Sequence, residues 1–438
     1  MSATLSVRGA KADKVGSEEA EIWNVLSNLY NSESNPDGYI SLGVAENALG
    51  HQEMRDFINS KKLIDPAARA LTYGDGPSGS KPVRKALASF FNDYFQPAKP
   101  VHMDNIMVTN GVTSAIEHTA WALANPGDGI LLGRPYYRAF LPDISHRTGV
   151  KVVRVAHGKL DPLGPECVAK YEEALLESRA KGVEVPALML CHPHNPLGRC
   201  YSTETIIALM KFCQKYKIHL ISDEIYALSI FPNTAYKLDK EPIGFNSVLS
   251  IDTSGIIDPE LVHVLWGISK DFGGNGIRLG VILSQSNNSF LTACRTASLN
   301  SVASSLAENA VVEILNDRTF LNSYIEKNRQ RLSEAHAYAI KVLKSYSIPY
   351  EPGVNAAFFL WVNLGTMYAE RHPEVRDAED PHAITSIIFK KLMEKKVFLV
   401  HGEAAGAEEP GWFRMVFTQP KGLIEEGIRR ISEAINDP

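Results

Sequence analysis

The sequence has few cysteines, no long apolar run and no block of like charges. Its five cysteines are odd in number and irregularly spaced, without the paired short spacings of a zinc site or a disulfide scaffold. We therefore expect reduced, structural thiols and no metal. No stretch reaches the roughly 18 uninterrupted apolar residues of a membrane span, and the amino terminus lacks the apolar core of a signal peptide. These absences predict a soluble protein of the cytoplasm.

The charge balance also excludes some classes of partner. The formal net charge of the 438-residue chain is only −5, and acidic and basic residues are scattered along it. This distribution gives no electrostatic footprint for nucleic acid or an anionic membrane, so we expect a small molecule as the partner. The chain exceeds the usual domain size of about 100 to 200 residues, which predicts one large and one smaller domain.

Short β-rich runs alternate with helical patterns from about residue 104 to 285. The runs are NIMVTN, GILLG, VKVVRV, ALMLC, HLISDE, VHVLWGIS and LGVILSQ. Strands separated by helices indicate βαβ units and a mostly parallel sheet, and a second α/β set follows a stretch of amphipathic helices. The pattern predicts an α/β protein with an amino-terminal arm at 1–60 that belongs partly to the small domain, a large domain at 61–310 and a small α/β domain at 311–438.

A glycine-rich loop matches the dinucleotide fingerprint G-x-G-x-x-G through Gly74, Gly76 and Gly79. The fingerprint requires a strand directly before the loop, and the preceding ALTY is too short to be one. A loop that leads into a helix is the better interpretation. A nicotinamide dehydrogenase is an alternative that rests on this loop alone.

Uncommon polar groups follow five of the predicted strands. They are Asn110–Thr113, Pro135–Tyr137, His194–Pro196, Asp223–Tyr226 and Ser269–Lys270. In open α/β sheets ligands bind beyond the carboxyl ends of the strands, so these groups are expected to converge on one crevice. Each group alone has an ordinary explanation as a turn, a helix cap or a surface charge. It is the ordered set that indicates a binding site.

This order of motifs resembles that of fold-type-I pyridoxal-phosphate enzymes, and six segments are similar to 1-aminocyclopropane-1-carboxylate synthase and its relatives. The segments are SLGVAENAL (41–49), RPYYRAF (134–140), NPLG (195–198), SDEIYAL (222–228), SKDFGGNGIRLG (269–280) and PGWFRMVF (410–417). The similarity extends from about residue 20 to 435. It implies the aspartate-aminotransferase-like fold, with pyridoxal phosphate bound to a large domain that has a mostly parallel central sheet.

The resemblance implies three catalytic residues. Lys270 would hold the cofactor as a Schiff base and, once freed by the substrate, would move the Cα proton. Asp223 would pair with the pyridine nitrogen and keep the ring an electron sink. Tyr226, together with Asn195, would hydrogen-bond the phenolic oxygen of the ring, and Tyr137 would stack on the cofactor face.

The resemblance also implies the groups that bind the cofactor phosphate. Val112 and Thr113 lie at the start of a helix, whose backbone N–H groups and dipole favour an anion, and Arg278 adds a charged fork. Ser269 precedes the lysine and belongs to the same set. Tyr73 would reach the phosphate of the neighbouring subunit, which implies a homodimer with shared active sites.

Arg414, Glu46 and Val44 are the residues that the resemblance places beside the substrate. Arg414 would bind the α-carboxylate in a two-pronged pair, because an arginine within an apolar strand indicates a buried anionic partner. The alternative for Arg414 is a strand edge that faces water. Glu46 either binds a cationic part of the substrate, such as a sulfonium, or caps the following segment.

Two positions depart from the synthase pattern. Gly267 stands where a serine is usual, and Gly274–Gly276 replaces Leu-Pro-Gly. Three functions follow from the residues and stay open. The first is a lyase that expels a sulfur leaving group, from S-adenosylmethionine by γ-displacement or from a cysteine conjugate by β-elimination. The others are an aminotransferase, which shares every cofactor residue, and a catalytically silent binding protein.

Overall fold

The computed structural model describes residues 4–64, 67–238, 241–376, 380 and 382–437, with only the backbone described for 17–21, 375 and 376. Within these residues the strands are β1 (Ile40–Ser41), β2 (Ile106–Thr109), β3 (Gly129–Gly133), β4 (Lys151–Val155), β5 (Ala187–Cys191), β6 (His219–Asp223), β7 (Val262–Gly267), β8 (Gly280–Leu283), β9 (Phe359–Asn363), β10 (Val397–Phe398), β11 (Val400–His401) and β12 (Trp412–Val416).

The α-helices of the same part of the chain are α1 (Val7–Ser27), α2 (His51–Asn59), α3 (Lys81–Tyr94), α4 (Gly111–Leu123), α5 (Phe140–Ser145), α6 (Val168–Ala180), α7 (Thr203–Tyr216), α8 (Ile268–Asp271), α9 (Asn288–Ala297), α10 (Ser305–Asn316), α11 (Arg318–Ser345), α12 (Leu364–Arg371), α13 (Pro373–Arg376), α14 (Ala383–Glu394) and α15 (Lys421–Asn436). None of the described helices combines the length and the hydropathy needed to cross a membrane.

The central sheet has seven strands in the order β2-β8-β7-β6-β5-β3-β4. Strand β8 is antiparallel to both of its neighbours, β2 and β7, and the remaining pairs are parallel. Every residue of the interior strand β5 is buried, as expected for a parallel strand covered by helices on both faces. The seven predicted β-runs and the mostly parallel α/β sheet are therefore confirmed.

Helix α4 begins at Gly111, so Val112 and Thr113 lie in its first turn, as the sequence predicted. The positive φ of Gly111, 80°, allows the chain to turn sharply out of β2. The local backbone geometry at Gly111 therefore sets where the helix starts.

Two smaller sheets combine the amino-terminal segment with the carboxy-terminal part of the chain. Strands β11, β12 and β9 form an antiparallel sheet, and β1 pairs in parallel with β10. The guanidinium of Arg134, just after β3, donates to the carbonyl oxygens of Gly406 (2.7 Å) and Ala407 (2.6 Å). These contacts hold the smaller sheets against the end of the central sheet. The predicted boundary at residue 310 lies within α10, and the domain limits stay a prediction.

The glycine-rich loop at residues 74–79 is not preceded by a strand. A 3₁₀ turn at Arg69–Leu71 leads into it, and α3 follows, capped by the Ser80 hydroxyl, which accepts from the Val83 N–H. A dinucleotide fingerprint needs a strand before the loop. The interpretation as a loop that leads into a helix is confirmed.

Candidate active site

A cavity of about 130 Å³ lies beyond the carboxyl ends of β2, β5, β6 and β7. It is lined by Val112, Thr113, Ile116, Tyr137, Asp143, Cys191, Asn195, Asp223, Ile225, Tyr226, Ser269, Lys270, Asn275 and Arg278. All five polar groups that the sequence placed after strands contribute at least one residue to this lining. The predicted convergence on one crevice is observed.

Lys270 lies in the short helix α8, directly after β7. Its Nζ donates to the backbone oxygen of Ala45 at 2.7 Å. Burial, followed by the positive charge of Arg414, lowers the pKa of Lys270 to about 8. An amine with this pKa has an appreciable neutral fraction near neutral pH, so it can act as a nucleophile and as a base.

Asp223 ends β6 and is only 3% exposed. Its carboxylate accepts from the Ile225 N–H at 3.2 Å, and burial raises its pKa to about 7. A buried carboxylate is stabilised by a cationic or proton-donating partner. A protonated pyridine nitrogen is such a partner, so the site fits the cofactor ring at this position.

Two tyrosines form another part of the cavity wall. Burial raises the pKa of Tyr137 to about 12 and raises that of Tyr226 well above its ordinary value. Both phenols are therefore protonated at neutral pH and can donate hydrogen bonds. The Oδ1 atom of Asn195 accepts from Arg414 at 3.0 Å, which leaves the amide N–H groups of Asn195 as donors.

The start of α4 forms an anion cradle together with Arg278. The residue before the helix, Asn110, makes no side-chain capping bond. A Cβ atom at Gly111 would lie 2.3 Å from Nη2 of Arg278, so the guanidinium lies directly on the first helical residue, and only glycine permits this approach. Uncapped N–H groups, a helix dipole and a guanidinium together suit a phosphate.

Close backbone packing explains the missing serine at position 267. A Cβ atom at Gly267 would lie 2.8 Å from the Leu279 oxygen and 2.9 Å from Cγ2 of Val112. At the neighbouring Gly280 it would lie 2.4 Å from the Gly111 carbonyl carbon. Because α4 rests directly on the ends of β7 and β8, neither strand end has room for a side chain. The phosphate contact of the usual serine is excluded by this packing.

Arg414 on β12 is 3% exposed. It is not part of the cavity lining, but its Nη1 donates to Oδ1 of Asn195, which is part of it. Its Nη2 donates to the Gly43 oxygen at 2.6 Å, and its guanidinium lies 4.6 Å from the centre of the Phe359 ring. Its Nε is buried and has no hydrogen-bond partner among the described residues. A buried guanidinium N–H without an acceptor is costly, so this group fits a substrate carboxylate. The alternative of a strand edge that faces water does not hold.

The segment Gly43–Glu46 presents backbone oxygens to the functional side chains. Besides the bond from Arg414 to Gly43, the Ala45 oxygen accepts from Lys270, and the Glu46 oxygen accepts from the Thr418 hydroxyl at 2.6 Å. One short segment therefore accepts hydrogen bonds from both the predicted base, Lys270, and the predicted carboxylate-binding group, Arg414.

The two other predicted substrate residues lie in the same segment but not in the cavity lining. The carboxylate of Glu46 lies near enough to Lys270 to raise its pKa electrostatically. The cap of the following turn is Asn47, whose side chain accepts from the Leu49 N–H at 3.2 Å. The cap is thus supplied by the next residue and not by Glu46. Val44 is half-buried, and its oxygen accepts from the Glu46 N–H at 2.9 Å.

Tyr73 is fully exposed and does not line the cavity of its own chain. It lies in the loop before α3, between the 3₁₀ turn and the start of that helix. Among the described residues, no side-chain contact accounts for this exposed tyrosine.

Sequence reasoning missed five residues of the lining. Two of them, Asp143 and Asn275, are polar, and three are apolar or weakly polar. Ile116 follows Thr113 by three residues and shares its helix face, Ile225 lies between Asp223 and Tyr226, and Cys191 ends β5. Helical spacing from Thr113 was the available indication for Ile116. Ile225 and Cys191 have no distinguishing side-chain chemistry and follow only from the three-dimensional arrangement.

Comparison with known proteins shows the family and several relatives of this chain. Residues 38–431 match the family model described as aminotransferase class I and II. The 1-aminocyclopropane-1-carboxylate synthase-like protein 1 of Takifugu rubripes is 31% identical over 92% of this chain, which spans 62% of the length of that protein. The protein named probable aminotransferase sirI of Leptosphaeria maculans is 30% identical over 91% of both chains. A mouse relative, 32% identical over 99% of this chain and 72% of its own length, is named probable inactive 1-aminocyclopropane-1-carboxylate synthase-like protein 2.

Solved structures confirm the predicted fold. The aspartate aminotransferase of Thermus thermophilus with maleate superposes with a TM-score of 0.72 and 19% identity, over 98% of this chain and 99% of that one. This likeness shows the aspartate-aminotransferase-like fold, pyridoxal-phosphate fold type I. The cofactor prediction is confirmed by the family and by the synthase-like relatives. On these grounds the chain belongs to the aminotransferase class I and II family, whose members depend on pyridoxal phosphate.

Proposed function

We propose that this protein is a lyase of the 1-aminocyclopropane-1-carboxylate-synthase-like kind, which removes the Cα proton of an amino acid and expels a sulfur leaving group. The proposal rests on one observation. Lys270 and Arg414 both donate hydrogen bonds to backbone oxygens of the same segment, Gly43–Glu46. This arrangement sets a base and a carboxylate-binding guanidinium at a fixed separation. An amino acid held by its carboxylate then has its Cα near the lysine.

Each side chain has a separate task in this proposal. Bound pyridoxal phosphate supplies an electron sink for the carbanion at Cα. Arg414 binds the substrate carboxylate through its free Nε and thereby fixes which Cα bond faces the ring. Lys270 takes the Cα proton on its neutral Nζ. Asp223 keeps the ring nitrogen protonated, and Tyr226 donates to the phenolic oxygen.

The carboxylate of Glu46 supports a substrate that carries a positive charge beyond Cα. It acts on Lys270 electrostatically and belongs to the segment that Arg414 binds. A sulfonium, as in S-adenosylmethionine, would gain from an anion at this place. A cysteine conjugate, which is neutral at sulfur, would not need Glu46. The two substrates thus make different demands on this residue.

An absorbance assay tests the proposal. The purified holoprotein is mixed with S-adenosylmethionine, with a cysteine S-conjugate, or with alanine and a keto acid, and products are measured by mass spectrometry. We expect one of the first two to shift the cofactor band and to release a thioether or a thiol. Glu46→Gln should lower kcat/KM for the sulfonium substrate and leave the cysteine conjugate nearly unchanged. Release of no sulfur product from either substrate would refute the lyase proposal.

The second candidate is an aminotransferase. Relatives in Leptosphaeria maculans and Aspergillus oryzae are named probable aminotransferases, and every cofactor residue serves both reactions. Accumulation of pyridoxamine phosphate with alanine alone, and its reconversion when the keto acid is added, would establish it. A silent binding protein is the third candidate, since some relatives are named probable inactive. The presence of Lys270, Asp223, Tyr226, Arg278 and Arg414 around one cavity argues against a silent protein.

We further propose a homodimer in which each active site uses Tyr73 of the other subunit. Exposed apolar side chains support this proposal, and they belong to two segments, one before α3 and one that runs from the end of α9 into the first turn of α10. They are Leu71, Tyr73, Leu299, Val302 and Leu306. The two segments adjoin, because the Ser298 hydroxyl donates to the Pro77 oxygen at 3.3 Å. An apolar patch of this kind is suited to a second copy.

Subunit complementation tests the shared site. Lys270→Ala and Tyr73→Ala subunits are co-expressed with different tags, and the mixed dimer is purified. It should contain one intact site and recover about one half of the native activity per dimer, because the site with native Lys270 receives Tyr73 from its partner. The control pairs Lys270→Ala with Arg414→Ala. These residues belong to one site in one subunit, so that mixed dimer should stay inactive. Equal activity of both mixed dimers, or a monomer by sedimentation, would refute the proposal.

A further inference from the structure

Asn275 replaces a residue of the synthase motif. It lines the cavity, and no role has yet been assigned to it. It begins the 3₁₀ turn Asn275–Ile277, five residues after Lys270. Its side-chain Nδ2 donates to the Ala45 oxygen at 3.1 Å, and Lys270 donates to that same oxygen at 2.7 Å. The Ala45 carbonyl therefore has two donors, one from the lysine and one from the asparagine.

The orientation of this amide follows from the chemistry of its partner. A carbonyl oxygen only accepts hydrogen bonds, so the NH₂ end of Asn275 must face Ala45 and its Oδ1 must face away. That Oδ1 is buried and has no hydrogen-bond partner among the described residues. Among the described residues, the Ala45 oxygen is thus the hydrogen-bond partner of this side chain. The backbone oxygen of Asn275 separately accepts from Nη1 of Arg278 at 2.8 Å, a contact that side-chain substitutions leave in place.

The amine of Lys270 cannot keep its bond to Ala45 once it binds the cofactor. Condensation of the neutral amine with the aldehyde of pyridoxal phosphate forms a C=N bond, and both amine hydrogens leave with the aldehyde oxygen as water. The neutral product nitrogen has no hydrogen to donate. The Ala45 oxygen then loses one of its two donors, and a buried carbonyl without any donor is costly.

We propose that Asn275 is a positioning residue that keeps the Ala45 carbonyl paired while Lys270 is bonded to the cofactor. It thereby holds the segment Gly43–Glu46 in one position whether or not the lysine is attached to it. The same segment binds Arg414 through the Gly43 oxygen, so the substrate-binding guanidinium keeps its place as the lysine moves. This inference rests on the proposed role of Lys270.

The inference makes the effect of Asn275 depend on Lys270. Asn275→Leu keeps the branched shape and the number of side-chain heavy atoms and removes the amide donor. In a protein with Lys270 it should raise the Kd for pyridoxal phosphate by about 10-fold, which corresponds to ~1.4 kcal/mol. In a Lys270→Ala background no lysine donates to Ala45 before or after the cofactor binds. Loss of the asparagine donor then affects both states equally, so the same substitution should change the Kd by less than about 2-fold.

A double-mutant cycle on cofactor binding is the test. Apoproteins of the native, Asn275→Leu, Lys270→Ala and doubly substituted chains are titrated with pyridoxal phosphate and followed by fluorescence. Asn309→Leu is the matched control, because Nδ2 of Asn309 also donates to a backbone oxygen, that of Leu63 at 2.7 Å, outside the cavity lining. It should leave the Kd unchanged. If the leucine variant does not fold, Asn275→Ala is used in its place in the same cycle.

The outcomes separate this inference from the proposed function. Equal effects of Asn275→Leu in both backgrounds would mean that the side chain acts on the cofactor without Lys270, and would overturn the inference. No effect in either background would overturn it as well. A Lys270→Ala protein that still bonds pyridoxal phosphate covalently would instead refute the role of Lys270 itself.

Discussion

Lys270→Ala is expected to lose at least about 1,000-fold of the turnover rate, since one side chain supplies both the covalent cofactor bond and the base. Its Nζ lies in the cavity, and its pKa is lowered to about 8, so that no other group needs to activate it. The variant should also lose the absorbance band of the covalently bound cofactor. Kinetics and an absorbance spectrum check both expectations.

Borohydride trapping makes the Lys270 prediction specific. Reduction of the native holoprotein should fix the cofactor on the peptide that contains Lys270, as measured by mass spectrometry, and reduction of the variant should fix none. Lys215→Ala is a suitable control, because Lys215 lies on the outside of α7 in an ion pair with Glu172. It should behave as the native protein does. A trapped cofactor on a different lysine would contradict the assignment.

Arg414→Leu is the second substitution with a large expected effect. The native guanidinium donates to Gly43 and Asn195, and its Nε is available to a substrate carboxylate. Loss of a buried charge-assisted bond costs about 2 to 5 kcal/mol, so kcat/KM for the amino acid should fall by roughly 30- to 5,000-fold. Arg414→Lys keeps the charge but not the fork, and should recover only part of this loss.

A structural effect of Arg414→Leu must be separated from loss of substrate binding. Arg134→Leu serves as the control, because Arg134 likewise makes two hydrogen bonds, to the backbone oxygens of Gly406 and Ala407, and neither partner lines the cavity. Both leucine variants should lower the melting temperature, but only Arg414→Leu should raise the KM strongly. Similar kcat/KM losses for a carboxylate substrate and for its amine analogue without the carboxylate would show that Arg414 does not bind the carboxylate.

Most of the scaffold could be predicted from the sequence, because strand runs and helical spacing are local properties. The polar residues after the strands could be placed for the same reason, since topology requires the carboxyl ends of parallel strands to meet. The partners of those residues could not be predicted. That Lys270 and Asn275 share the oxygen of Ala45 depends on backbone atoms distant in sequence, and backbone carbonyls carry no sequence signature.

The departures from the synthase motif illustrate the same limit. From the sequence alone, Gly267 means the loss of one hydroxyl contact to the phosphate. In the fold, Leu279 and Val112 lie so close to Gly267 that a side chain has no room there. The sequence left two roles open for Glu46, substrate binding and capping of the following turn. In the structure, Asn47 caps that turn. The roles of these residues depend on contacts between segments that are far apart in sequence. Local sequence patterns do not predict such contacts.

The pairing of β1 with β10 has a consequence for how the protein is made. All strands of the central sheet have been synthesised by Leu283, so this sheet can form while the chain is still growing. Gly43–Glu46 emerges earlier still, but its supports, β10 and Arg414, are translated more than 100 residues after the central sheet. A growing chain therefore carries the residues proposed to hold the cofactor before it carries Arg414. Binding of the substrate carboxylate is thus withheld from such a chain until β12 has been made.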